Sequence, residues 1–221
     1  MAEKKTNKQK SKSTPLSKKV KNRFVIILWS LLAVGVLSVG AIFYMTTKGW
    51  IGYLPPLEEL QNPKNKYASQ IISADGEQLG TFFTAKDNRV GTTYSELSPN
   101  IIKALISTED ERFIEHSGVD FVAVGRVLVK TLILQQRNAG GGSTITQQLA
   151  KQLYSPTARN LFERALQKPI EWVIAVQLER LYTKEEILTM YLDKFDFLNN
   201  AVGIKTASWV YFGVLPSELT V

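Results

Sequence analysis

Apolar and polar positions follow three different rhythms along this chain, and each rhythm predicts a different element. From 24 to 45 the run FVIILWSLLAVGVLSVGAIFYM carries no charge over 22 residues. As a helix at about 1.5 Å per residue it is roughly 33 Å long, enough to cross the hydrocarbon core of a bilayer. Between 67 and 95 the rhythm becomes an alternation. In QIISADGEQLGTFF the pair Asp75 and Gly76 separates two alternating apolar runs, which predicts a β-hairpin. From 96 to 221 the period lengthens to that of a helix. Ser98 before Pro99 reads as an N-cap with a first-turn proline, and Ile101, Ile102, Leu105 and Ile106 follow at helical spacing up to Glu109. Asp120 starts a second helix through Val129 and Leu134. Thr144 and Gln147 hold capping-box positions for a third, after GGGST. A fourth passes through Ile170, Ile174, Leu178 and Leu181, Thr183 and Glu186 open a fifth, and Gly213 with Pro216 closes a last one running from 200 to 212. The predicted fold class is mainly α with one small β-hairpin, preceded by a transmembrane helix. Residues 46–66, with Pro55, Pro56 and Pro63, read as a linker. The helix-start signal PSEL just before Val221 suggests a domain cut short there.

Charge adds an orientation. Of 27 Lys and Arg residues, nine lie within 1–23, against one of the 20 acidic residues. These are Lys4, Lys5, Lys8, Lys10, Lys12, Lys18, Lys19, Lys21 and Arg23. A basic tail directly before an apolar span is expected in the cytoplasm, with residues 46–221 outside. The span is long for a signal peptide, and TTKGWIGYLPP offers no small-residue cleavage site, so a retained anchor is the expected reading. Beyond the tail the chain is close to neutral, which excludes the basic face that nucleic-acid binding needs. The absence of Cys removes disulfides, thiol nucleophiles and Cys-ligated zinc, and the one histidine, His116, cannot form a His cluster.

Four features could carry chemistry. Glu109, Asp110 and Glu111 end a predicted apolar helix, where the macrodipole and partial burial would raise a carboxyl pKa; the alternatives are a proton acceptor and a solvated helix end. Glu171 sits among Ile170, Trp172, Val173 and Ile174, so it requires either a partner, with Lys168 nearest, or a function. The segment AGGGSTITQQLAK presents backbone and side-chain donors at a helix start, suited to a sugar or phosphate, or simply to an N-capped helix after a loop. Lys151, Arg159, Arg164 and Lys168 form a run of cations that suits a diphosphate or an ordinary solvated face. His116 reads as a ligand, a base or a hydrogen-bonded structural histidine.

Taken in order, TEDERFIEHSGVD (108–120), GGSTITQQLAK (141–151), QKPIEWVIAVQLERLYTKEEILTMYLD (167–193) and NNAVGIKTASWVYFG (199–213) resemble the four leading motifs of the family 51 glycosyltransferases. These are the peptidoglycan polymerases found as monofunctional enzymes and as the N-terminal domain of class A penicillin-binding proteins. The resemblance implies a lysozyme-like helical fold over about 67–221 and a single-pass protein of the bacterial cytoplasmic membrane, its catalytic domain extracytoplasmic. It implies polymerisation of lipid II into glycan strands with release of undecaprenyl diphosphate. Glu109 corresponds to the general base and Glu171 to the second glutamate. Asp110, Arg112, Phe113, His116, Gly142, Ser143, Thr144, Gln147 and Gln148 would line the substrate subsites, and Lys151, Arg159 and Lys168 would meet the leaving diphosphate. No cofactor is required; a divalent cation, Mg2+ or Mn2+, near Glu171 is the one option left open. Implied partners are lipid II, the growing glycan strand, the membrane and other cell-wall synthesis and division proteins, and no nucleic acid. The alternatives are a lysozyme-like enzyme that cleaves glycan strands and a non-catalytic anchored fragment.

The sequence departs from the family pattern at three places. Gln167 precedes Lys168 where Arg is usual, Asp193 stands where Asn is usual, and Gln152 follows Lys151 where Asn is common. The fifth motif and a transpeptidase domain are not among these residues.

Overall fold

The computed structural model describes residues 18–62, 69–76, 78–82, 90–135 and 141–220. The basic tail up to residue 17 lies outside them, as do 63–66 of the expected linker. Two compact units make up the chain, Met1–Ile42 and Phe43–Val221. The described part of the first is most of helix α1 (Lys18–Thr47), whose stretch Asn22–Thr47 contains 18 consecutive residues with a mean hydropathy of 2.5. Among the described residues it is the one helix long and apolar enough to cross a membrane. Phe24, Trp29, Leu31 and Leu37 on it are all exposed, an arrangement stable only against lipid or protein.

The second unit is mainly helical, as expected for a lysozyme-like domain. After α2 (Leu57–Gln61) come strands β1 (Ser69–Ile72) and β2 (Gln78–Phe82), then α3 (Pro99–Glu109), α4 (Phe121–Leu128), α5 (Ile145–Tyr154), α6 (Leu161–Leu181), α7 (Lys184–Lys194) and α8 (Ile204–Phe212). The strands pair antiparallel around the predicted Asp75 and Gly76 turn, with Ser69 opposite Phe82. The core forms where α5 packs on both α6 and α7. Ile145 and Leu149 on α5, Ile170, Ile174 and Leu178 on α6, and Ile187, Leu188 and Tyr191 on α7 are buried at helical spacing. Each such aliphatic side chain contributes roughly 1.5–3 kcal/mol by leaving water.

Several boundaries differ from the sequence reading for physical reasons. Residues 57–61 of the expected linker form α2. Its Leu60 is fully buried, and Tyr154 and Tyr182 donate to the Glu59 and Leu60 carbonyls at 3.2 and 2.8 Å. The second helix leaves α geometry after Leu128 and continues as a π-helical turn, Val129–Ile133. Helix α6 starts well before Ile170, at an Asn160 cap that accepts from the Glu163 N–H at 2.8 Å, and it continues through Pro169. The last helix begins at Ile204 because Leu198, Asn199 and Asn200 all adopt positive φ. The cap of the fifth predicted helix is as expected, with Thr183 and Glu186 reciprocally bonded.

One buried acid couples stability to pH. Asp193, at the end of α7, is pushed up from 3.8 to about 6 chiefly by burial, against a stabilising hydrogen bond from the Thr92 N–H at 3.1 Å. The fold therefore retains a proton that the unfolded chain releases, and stability falls as pH rises from about 4 to about 6. Asp193→Asn cannot ionise and can still accept from Thr92. The expected result is a stabilisation of up to about 3 kcal/mol above pH 6, the free energy that separates a carboxyl at about 6 from one at 3.8, vanishing below about pH 4. Melting curves of both chains at pH 4 and pH 7.5 check it; an equal difference at the two pH values would contradict it.

Candidate active site

The site is assembled where the C-terminus of α3 meets the N-terminus of α5. Asp110 caps α3 and is buried. Its carboxylate accepts from the N–H of Ile145, the first residue of α5, at 3.1 Å and from Nε2–H of His116 at 3.0 Å. A negative charge against the first turn of a helix is favoured by the macrodipole. The Thr144 hydroxyl accepts from the Gln147 N–H at 3.1 Å and donates to the Gly118 carbonyl at 2.7 Å. Gln147 does not complete the expected capping box: its Nε2 donates to the same Gly118 carbonyl at 3.3 Å. Gly118 has φ +92°, and a Cβ there would lie 2.8 Å from the Ala175 carbonyl on α6, so only glycine fits. Phe113 is fully buried under the Lys184 ammonium, 4.2 Å from its ring centroid, and packs the core rather than facing outward.

The expectation of a partly buried acid at the end of α3 falls on Asp110, because Glu109 and Glu111 are both exposed. Glu109 lines a cavity of about 180 Å³ together with Asp110, Arg112, Gly142, Ser143 and Thr144. Its Oε2 accepts from Nε2 of Gln148 at 2.7 Å. Gln148 is itself oriented, since Tyr191 donates its hydroxyl to the Gln148 Oε1 at 3.1 Å. Burial, and secondarily the charge of Glu109, push the Tyr191 phenol up to about 12, so it stays a donor and fixes which face of the amide meets Glu109. Arg112 bonds Glu115 at 2.9 Å and lies 3.8 Å from Asp120. Burial raises the Asp120 pKa, but the N–H groups of Ala123 and Val122 and the Arg112 charge outweigh it and hold the carboxyl below 3.8.

Glu171 does not line the cavity. It is fully buried on α6 and pairs with the Arg164 guanidinium and with Lys168, whose Nζ is 3.0 Å from Oε2. Lys168 also donates to the Ser143 hydroxyl at 2.9 Å, so Glu171 is linked to the cavity wall through one lysine. Around Glu171 the structure places one carboxylate between two cations. Among the described residues no group of three or more His, Cys, Asp or Glu side chains is arranged to hold a metal ion.

The structure thus brings Glu109, Asp110, Arg112, Gly142, Ser143 and Thr144 to one cavity and joins Gln148 and Lys168 to it through Glu109 and Ser143. Lys151 is exposed on α5 outside the lining. Arg159 borders a second, mainly apolar cavity of about 400 Å³ with Ile51, Tyr53, Tyr154, Leu166 and Ile170. The sequence reading missed Arg126, which lines the first cavity. The available signal was its standing as the lone charge in the apolar stretch FVAVGRVL.

The profile described as Transglycosylase matches residues 75–221. The chain belongs to the transglycosylase family. It is 36% identical over 167 residues to penicillin-binding protein 1A of Escherichia coli (strain K12), covering 76% of this chain and 19% of that protein. It is 36% identical over 223 residues to penicillin-binding protein 1A/1B of Bacillus subtilis (strain 168), covering 97% and 23%. Penicillin-binding protein 1F of the same organism is 37% identical over 154 residues, covering 70% and 21%. This transglycosylase chain spans about a fifth of the length of these relatives.

Proposed function

We propose that this transglycosylase polymerises lipid II into peptidoglycan glycan strands at the outer face of the cytoplasmic membrane. The observation that carries the reading is Glu109, exposed on a cavity lined by the hydroxyl residues Ser107, Thr108, Ser143 and Thr144 and held by the Tyr191–Gln148 pair. In this reaction the Glu109 carboxylate takes the proton of the acceptor's 4-hydroxyl as that oxygen attacks C1 of the donor sugar. The C1–oxygen bond to the diphosphate breaks and the anomeric centre inverts. Undecaprenyl diphosphate departs with its charge met by Lys151 and Arg159, neither of which has an ion-pair partner among the described residues. The apolar cavity beside Arg159 suits a lipid chain joined to a diphosphate. The apolar helix at the N-terminus tethers the enzyme to the bilayer in which such a substrate resides.

The test is incubation of the intact chain, in detergent, with lipid II. Glycan strands and free undecaprenyl diphosphate are expected. Release of muropeptides from purified sacculi with lipid II left unconsumed would replace the proposal with glycan cleavage.

A further inference from the structure

We infer that Arg164 is the positioning residue of Glu171, reaching it from two turns earlier on α6. Residues 164, 168 and 171 recur at helical spacing on one face of α6. Burying a lone carboxylate is strongly unfavourable, and Glu171 is wholly buried, so its orientation is set by its counter-ions. They divide the carboxylate between them: the Arg164 guanidinium takes Oε1 and Lys168 faces Oε2.

The two cations are not equivalent. Lys168 is shared with Ser143 on the cavity wall, whereas the side-chain acceptors of Arg164 are Glu171 and the Gln167 Oε1, the latter at 3.3 Å. Gln167 is fixed in turn, because its Nε2 donates to the Pro156 carbonyl at 2.8 Å and leaves Oε1 for the guanidinium. Gln167 therefore orients Arg164, Arg164 holds Oε1 of Glu171, and Oε2 is left facing the lysine that reaches Ser143. Arg164 acts on the cavity through Glu171 and Lys168 and need not touch substrate. An arginine introduced at 167 would start beside the same guanidinium and could take over its place.

The test uses the intact chain in detergent and has two readouts. Arg164→Gln is expected to lower the melting temperature by about 5–10 °C, and to lower it by far less when Glu171→Gln is already present. Adding Gln167→Arg to Arg164→Gln is expected to recover more than half of the loss. Equal falls with and without the Glu171→Gln substitution, or no recovery from Gln167→Arg, would overturn the inference. The kinetic readout rests on the proposed reaction: with lipid II, Arg164→Gln should lose about 100-fold in kcat with little change in KM, and Gln167→Arg should restore it. Wild-type kcat in a folded Arg164→Gln chain would also overturn it. Failure of the unaltered chain to use lipid II would refute the proposed reaction, while the melting cycle still decides the role of Arg164.

Discussion

Asp110→Ala should lower the melting temperature by about 10 °C and remove activity with it. The substitution deletes the buried acceptor of two donors, the Ile145 N–H and the His116 Nε2–H. It also deletes a charge from the first turn of α5. Leaving two buried donors unsatisfied costs about 1–3 kcal/mol each. Each kcal/mol moves the transition of a domain this size by about 2–4 °C. The functional consequence follows from position: α5 carries Gln148, which holds Glu109, and begins just after Ser143, which meets Lys168. Glu111→Ala is the matched control, because Glu111 is exposed one residue further along; its melting should stay within about 2 °C of the unaltered chain. Calorimetry of the three proteins checks the prediction, and similar transitions for Asp110→Ala and Glu111→Ala would refute it.

Local patterns announced most of the helices because their start signals are short-range. Ser98 and Pro99, Thr144, and the Thr183 and Glu186 pair each satisfy or suit the helix start within four residues, and each begins a helix in the structure. Features that depend on distant partners were not legible. Asp110 rather than Glu109 is buried because α5 arrives 35 residues later to meet it. The raised pKa of Asp193 depends on its burial beside Thr92, 101 residues away. Helix α6 runs through Pro169 because its packing on α5 and α7 outweighs one missing backbone bond, a balance that local propensity does not contain. Glu171 lies between these cases. Its apolar neighbours showed that it needed a partner, and Lys168 was the expected one, but the stronger claim of Arg164 emerges only when two turns of helix bring it round.

The central claim is that Glu109 accepts the proton of the attacking hydroxyl. Glu109→Gln is the cleanest perturbation available to it. Glutamine has nearly the same shape and can still accept from the Gln148 amide, so the Tyr191–Gln148 arrangement persists, but it cannot take a proton at neutral pH. Because the side chain is exposed, little stability depends on it. A general base typically contributes a factor of about 10²–10⁴. The decisive measurement is the initial rate of glycan formation from lipid II by the unaltered and Glu109→Gln chains, with their melting temperatures recorded in the same buffer. The account predicts a loss of roughly 1,000-fold at an unchanged melting temperature; an unchanged rate at that same melting temperature would contradict it.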